Sequence, residues 1–418
     1  MVRCGDQGLD KIASCGDIRV CSTEKSTHYQ KLSSYLPGKN LIPISSREQL
    51  REAFANGTCN VIAHEGYNLA ESLVRSAGYE GEYLVGATLF SKEPLAMVTR
   101  QEDTELSDFV NSVLASLIVA EASNITQSTA EKFPQTEVWS EYPTMFRDAV
   151  AAVGNYGEVF ARYMEIYTPR QGLNLINYGA GGLLYSIPLG NPEGSVGTPG
   201  TTLVAISERA KLRCGLRPNR PGFAVLEVDK LNGMEVDYCR ALAASIFYGR
   251  TDQVEFITVS DQREGLALLA SGELDVFAGA TWNLQTDVRI PGIGEGFTLT
   301  QPFFYKPATS GVGEGGDENL CLATRQVDPV WSAFVYWISA AIIQAEEHGI
   351  TQGMSNFMPD VTVFGPDFSL IFQDAILAVG NYGEMYSRNL ENAIPRSGRN
   401  QLNGNKASQL YPLPGIFP

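Results

Sequence analysis

Val254-Glu-Phe-Ile-Thr-Val-Ser-Asp-Gln-Arg-Glu-Gly-Leu-Ala-Leu-Leu-Ala-Ser-Gly-Glu-Leu-Asp-Val-Phe-Ala278 decides the fold class. Val254 to Val259 reads as a strand, Gln262 to Ser271 as a helix with leucines at helical spacing, and Leu274 to Ala278 as a second strand. Upstream, Leu212-Arg-Cys-Gly reads as a strand and Val236 to Phe247 as an amphipathic helix. Residues 18–90 alternate in the same way. Ile18-Arg-Val-Cys is followed by a helix (Glu48 to Ala55), a strand (Val61 to Ala63), a helix (Leu69 to Ser76) and a strand (Tyr83 to Ala87). Short βα alternation predicts an α/β fold, a parallel sheet with helices on its faces.

A repeat organises the rest. Asp148-Ala-Val-Ala-Ala-Val-Gly-Asn-Tyr-Gly-Glu158 matches Asp374-Ala-Ile-Leu-Ala-Val-Gly-Asn-Tyr-Gly-Glu384, an offset of 374 − 148 = 226. Ile125-Thr-Gln127 matches Ile350-Thr-Gln352, and Pro169-Arg170 matches Pro395-Arg396. Each copy is a mainly helical tail opening on an apolar stripe, Phe109, Val113 and Leu117 in one and Phe334, Ile338 and Ala341 in the other. Two glycines in Gly-Asn-Tyr-Gly predict a kink or a helix–helix junction. The sequence thus predicts an α/β domain at 1–95, a helical tail at 96–191, a Gly/Pro-rich linker at 192–204, a second α/β domain at 205–315 and a second tail at 316–418.

The chain has 418 residues and a net charge of 31 − 47 = −16. That balance argues against a nucleic-acid partner, whose affinity comes from basic residues on phosphates. No stretch reaches the roughly 18 apolar residues of a membrane-spanning helix, and Val330 to Ala345 reads as a buried helix. Met1-Val-Arg-Cys-Gly lacks the apolar run of a signal peptide. With three histidines, no metal site is expected, and no cofactor motif is present. No GxSxG, HExxH or P-loop occurs, so no catalytic residues are assigned and an enzyme is not expected.

Of seven cysteines, Cys21, Cys59, Cys214 and Cys239 lie in or beside predicted elements. They read either as buried thiols or as the disulfides Cys21–Cys59 and Cys214–Cys239, which imply an oxidising compartment, periplasmic or extracellular. Cys4, Cys15 and Cys321 have several possible pairings. In open α/β sheets, ligands bind beyond the carboxyl ends of strands. That selects Ser26 and Thr27, Glu65 in His64-Glu65-Gly66, and Thr281 and Asn283 in Ala280-Thr-Trp-Asn283. Ser26 and Thr27 read equally as a plain helix cap.

Gly233-Met-Glu-Val-Asp-Tyr-Cys-Arg-Ala-Leu-Ala-Ala, Leu269-Ala-Ser-Gly-Glu-Leu-Asp-Val and Thr281-Trp-Asn-Leu resemble lobe 1 of the general L-amino-acid substrate-binding proteins of ABC importers. Ala53-Phe-Ala-Asn-Gly-Thr-Cys-Asn-Val and Phe90-Ser-Lys-Glu-Pro-Leu95 are similar to their lobe 2. The resemblance implies a periplasmic-binding-protein-like two-lobe fold. Here lobe 2 (1–95) precedes lobe 1 (205–315), an order that suits a permuted pairing or a piece of a tandem array. The resemblance implies that Ser26 and Thr27 hold a ligand carboxylate, Glu65 an ammonium group, and Thr281 and Asn283 further polar groups. The family's carboxylate-clamping Arg follows shortly after the lobe 1 hydroxyl. Gln285-Thr-Asp287 stand there instead, which leaves Arg289 as the substitute. Lys25 stands where the family has Gly.

The expected function is non-enzymatic binding of a small amino-acid-like solute in a cleft between 1–95 and 205–315. The implied partners are that solute and a membrane transporter or further copies of the chain. The alternative is a structural protein built from a duplicated scaffold that has lost its ligand.

Overall fold

The computed structural model describes residues 18–33, 35–36, 38–86, 94–136, 138–170, 174–175, 198–227, 230–290, 292–306 and 319–402. Cys4, Cys15 and residues 192–197 of the 192–204 segment lie outside them. The chain forms two compact units, Met1–Leu95 with Val159–Arg170, and Ala96–Glu158 with Gln171–Pro418.

The first unit is a parallel sheet of order β2-β1-β3, with β1 at Val20–Thr23, β2 at Leu41–Ile44 and β3 at Val61–Ala63. Helices α1 (Thr27–Ser33), α2 (Arg47–Ala55) and α3 (Glu71–Ser76) join and cover the strands. Successive β1 side chains point to opposite faces. Val20 therefore joins Leu32, Leu36 and Leu41 on one side. Cys21 joins Leu50, Ala53, Cys59 and Val74 on the other. The Cys21–Cys59 disulfide forms there. Strand β2 escaped the sequence reading because Pro43 disguises it. It is an edge strand, where a missing N–H is tolerated. The strand expected at Tyr83 to Ala87 is not found over 83–86, and Ala87 lies outside the described residues. Tyr83 serves through its side chain instead, packing edge-on against Phe54 and donating its hydroxyl to Leu69 O at 2.8 Å.

The second unit opens with α4 (Thr104–Ala122), α5 (Met145–Val153) and α6 (Tyr156–Tyr163), the last crossing into the first unit. Helix α7 (Thr201–Arg209) follows. Residues 201–204, read as linker, are thus helical. The Asp328 carboxylate accepts the Thr202 N–H at 2.7 Å and the Thr201 hydroxyl at 3.1 Å, and Leu203 and Ile206 are buried. Then come β4 (Leu212–Leu216), the hairpin β5 (Val225–Glu227) and β6 (Lys230–Asn232), α8 (Met234–Ile246), β7 (Val254–Thr258), α9 (Gln262–Ser271) and β8 (Val276–Thr281). Helix α10 (Leu284–Val288) and strands β9 (Arg289–Ile290), β10 (Gly294–Glu295), β11 (Phe297–Leu299) and β12 (Phe304–Tyr305) lead to β13 (Asn319–Arg325). The main sheet runs β11-β13-β8-β4-β7, with β12 also on β13. Strands β4, β7 and β8 are parallel, and β13 returns antiparallel. The Cys214–Cys239 disulfide ties β4 to α8, and Cys321 is a buried free thiol.

Helices α11 (Pro329–Glu347), α12 (Ile371–Val379) and α13 (Tyr382–Asn389) close the unit. They correct one expectation. Helix α8 is buried almost all round rather than amphipathic, because α12 and α13 cover its outer side. Ser245 Oγ donates to Ile371 O at 2.9 Å, and Asp237 accepts from Arg388 and Asn389, both at 2.7 Å. No helix of the described residues is long and apolar enough to cross a membrane.

The segments that repeat in sequence make matching hydrogen bonds. Glu158 Oε2 accepts from the N–H groups of Gln127 and Asn155, both at 2.9 Å, and Gln127 Nε2 donates to Ala151 O and Ala152 O. Glu384 Oε2 accepts from the N–H groups of Gln352 and Asn381, both at 2.9 Å, and Gln352 Nε2 donates to Leu377 O and Ala378 O. Gly154 (φ 85°) and Gly380 (φ 80°) end α5 and α12 in a conformation that side chains disfavour.

The two segments differ in what covers them. Val379 is 2% exposed and its counterpart Val153 is 40% exposed. Val379→Asp is therefore expected to destabilise by about 3 kcal/mol or more, because it buries an unpaired charge. Val153→Asp is expected to change stability by about 0.5 kcal/mol or less. Urea unfolding of the two variants checks the contrast, and equal losses would refute it.

Helix α4 meets α10 through two acids. Gln326 Nε2 donates to Asp108 Oδ2 at 2.9 Å and to Asp287 O at 3.1 Å. Burial, outweighing the Gln326 hydrogen bond, pushes Asp108 up to about 6, and burial with the Asp108 charge pushes Asp287 well up. An acid whose pKa is raised on folding favours the folded state below its unfolded value and loses that contribution as pH rises through the folded value. The contribution of Asp108 therefore falls between about pH 4 and 6. Asp108→Asn is expected to flatten that fall in denaturation curves taken from pH 4 to 8.

Candidate functional site

Strands β1 and β3 end at Thr23 and Ala63, and the loops beyond carry the residues singled out in the first unit. Ser26 Oγ donates to Thr23 O at 2.5 Å and accepts the Tyr29 N–H at 3.1 Å. Its hydroxyl is committed to turning the chain into α1, while Thr27 is exposed beside it. Lys25 has φ 58°, the left-handed region that glycine adopts without strain. Glu65 is half-buried, and its Oε2 accepts from Asn68 Nδ2 at 3.1 Å and lies against His64 Nδ1.

His64 and His28 were not expected here. Both are buried, with ring centroids 4.6 Å apart. The Glu65 N–H points at His64 Nδ1 at 2.8 Å, and the Asn68 amide lies 3.1 Å from it. Burial, then the neighbouring His28, Arg47 and Arg51, push His64 down to about 4, so it is neutral at pH 7. The ligating atoms of His28, His64 and Glu65 lie within 4.8 Å of one another. In sequence the only hint is that His28 and His64 each lie shortly after a strand end, and nothing local joins them.

In the second unit, Thr281 ends β8 and donates its N–H to Gln262 Oε1 at 2.8 Å. Asn283 Oδ1 accepts the Thr286 N–H at 2.9 Å and so starts α10. Arg289 pairs through its backbone with β10, and its side chain lies outside the described residues.

Two arginines that the sequence reading passed over follow β4. Arg217 Nη2 donates to Gly279 O at 2.8 Å, and Arg220 Nη1 pairs with Glu235 Oε1 at 2.5 Å. The Arg220 guanidinium also lies 5.0 Å from the Phe223 ring centroid. Glu235 is fully buried. Burial pushes it up to about 7 against the pull of Arg220 and Arg217. Gly279 (φ 79°) supplies the room, since a Cβ there would lie 2.8 Å from Arg220 Nη1. Two guanidinium groups and one carboxyl therefore meet at the carboxyl end of β4 and β8. Such forks match a carboxylate in shape and charge.

No protein-family model matches this chain. It is 24% identical over 325 residues to the general L-amino acid-binding periplasmic protein AapJ of Rhizobium johnstonii, covering 53% of this chain and 94% of that protein. It is 35% identical over 101 residues to the putative amino-acid ABC transporter-binding protein YhdW of Escherichia coli, covering 24% of this chain and 28% of that protein. The glutamate/glutamine/aspartate/asparagine-binding protein BztA of Rhodobacter capsulatus is 24% identical over 205 residues, covering 43% of this chain and 60% of that protein. The chain thus spans well under a third of YhdW and three-fifths of BztA. Among solved structures, an ABC transporter periplasmic binding protein from Brucella ovis with glutathione bound overlays with a TM-score of 0.40 at 20% identity, covering 49% of this chain and 98% of that one. AapJ is by name an amino-acid-binding periplasmic protein and BztA an amino-acid-binding protein, and the two disulfides fit an oxidising compartment.

The Lys25 backbone yields a direct test. Lys25→Gly is expected to be neutral or to stabilise by up to about 1 kcal/mol, since it relieves the left-handed strain at some entropic cost. Lys25→Ala keeps the strain and gives no gain. Chemical unfolding of both variants distinguishes them, and a loss with glycine would refute the assignment.

Proposed function

We propose that this chain binds a small amino-acid-like solute without transforming it, through polar groups beyond the carboxyl ends of parallel strands. The observation that carries the reading is the Arg217 and Arg220 pair beside Glu235, which offers a carboxylate fork where Gln285-Thr-Asp287 offers none. Thr281 lies at the end of β8 nearby in sequence to α10, and Thr27 and Glu65 supply hydroxyl and carboxylate groups in the first unit. An amino acid carries one carboxylate and one ammonium group, the two charges that arginines and a glutamate complement. The similarity to amino-acid-binding proteins supports the same class of solute. A membrane transporter is the proposed partner and the periplasm or another extracytoplasmic space the proposed location. The domain limits read from the sequence, 1–95, 96–191, 205–315 and 316–418, belong to the same proposal.

The test is thermal unfolding of the whole chain against L-amino acids and small carboxylates at millimolar concentration, with excess chelator present. A solute at about 100 times its Kd adds roughly 2.7 kcal/mol, a shift of a few degrees or more. Arg217→Ala and Glu65→Ala are expected to weaken binding at least about tenfold each, the scale of one lost charge-assisted contact. No saturable shift with any of these compounds, or shifts that survive both substitutions, would move the reading to a scaffold without a solute.

A further inference from the structure

We propose that His28, His64 and Glu65 form a binding site for a divalent transition-metal ion such as Zn2+, Cu2+ or Ni2+. The three side chains come from two places in the chain. His28 lies in the first turn of α1, and His64 and Glu65 directly follow β3. Strand β1 pairs with β3 in parallel register, Val20 with Val61 and Ser22 with Ala63, so both loops leave the same end of the sheet. The sheet brings the two imidazoles together at 4.6 Å and sets the carboxylate beside them.

The donor set selects the ion. Two imidazoles and one carboxylate suit Zn2+, Cu2+, Ni2+ and Co2+, whereas Ca2+ and Mg2+ demand oxygen. The three ligating atoms lie within 4.8 Å of one another, and side-chain rotations that close them to roughly 3.4 Å would place them around one tetrahedral ion at bonds of about 2.0–2.2 Å. Asn68 already contacts both His64 and Glu65 and is placed to hold them from the second shell, with Nδ2 at 3.1 Å from each. Three protein ligands leave a fourth position for water or for a donor atom of a small molecule. The site needs nothing from the second unit, and it stands whether or not the solute-binding reading does.

The experiment uses the whole chain, free of any affinity tag, stripped with chelator and titrated with Zn2+ against a chromophoric competitor in the absence of amino acids. The expected result is one site whose affinity falls at least about tenfold in His28→Ala and in Glu65→Gln. Co2+ titration is expected to give visible ligand-field bands that both variants lose. Because His28 is buried, His28→Ala is checked for folding by circular dichroism. Glu65→Gln changes a half-buried group and keeps the test open if His28→Ala fails to fold. Cys321→Ser is expected to leave the site intact. Binding no tighter than about 1 mM, or tight binding unchanged in Glu65→Gln and in folded His28→Ala, would overturn the proposal. The solute titration is run with chelator and the metal titration without solute, so either reading can fail alone.

Discussion

A single carboxylate in each repeated segment sets the geometry that the rest of the second unit uses. Glu158 and Glu384 each accept two backbone N–H groups that lie 31 or 32 residues apart from them and 3 residues apart, so one side chain ties a loop to the start of the following helix. The glutamine that donates one of those groups also reaches the carbonyls at the end of the preceding helix. Hydrogen bonds to an ionised acceptor are stronger than neutral ones. Here they satisfy helix-terminal groups that would otherwise be orphaned. The residues that do this, Gln, Asn, Gly and Glu, are the ones the repeat preserves letter for letter.

The clamp fixes the turn between α12 and α13, and that turn aims both helices at α8. Tyr382, immediately after the clamp asparagine, is fully buried and donates its hydroxyl to Phe303 O at 2.7 Å. Arg388, one and a half turns on, pairs with Asp237 of α8. The matching turn between α5 and α6 has the same hydrogen bonds but a smaller core. Phe133, Phe146 and Val150 bury themselves against α4, and Val288 of α10 packs beside them. The clamp is therefore a local property of each segment, whereas burial of the outward face depends on an α/β domain lying against it.

What the sequence shows and hides follows from the range of the interactions. The βα alternation at 254–278 and the helix break at Gly154 depend on neighbours in the chain, and both were legible. The disulfide partners were among the readings left open by the residues, because each cysteine flanks a strand or helix that packs next to its mate. The start of α7 was hidden because its caps come from Asp328, 126 residues away. Glycines and prolines at 191–200 suggested linker, and nothing local indicated that the threonines after them had a carboxylate to hold. The His28 and His64 pair was hidden for the same reason. Their loops are 36 residues apart, and only the register of β1 on β3 joins them.

Arg217 and Arg220 do not stand out in the sequence for a different reason: the family resemblance places the positive group in the loop after β8, at Arg289. A parallel sheet presents every strand's carboxyl end on one side, so a charge lost from one loop can be supplied by its neighbour. The chain's net charge of −16 does not oppose this. Exposed charges beyond about 8 Å are largely screened at physiological salt, and a half-buried pair is screened much less. Glu235 then decides how much of that positive charge is on offer. Ionised, it cancels one guanidinium. Protonated, it leaves both to an incoming carboxylate. Burial pushes it up to about 7 against the pull of Arg220 and Arg217. Under the proposed reading, a carboxylate arriving at the arginines would favour the protonated form of Glu235.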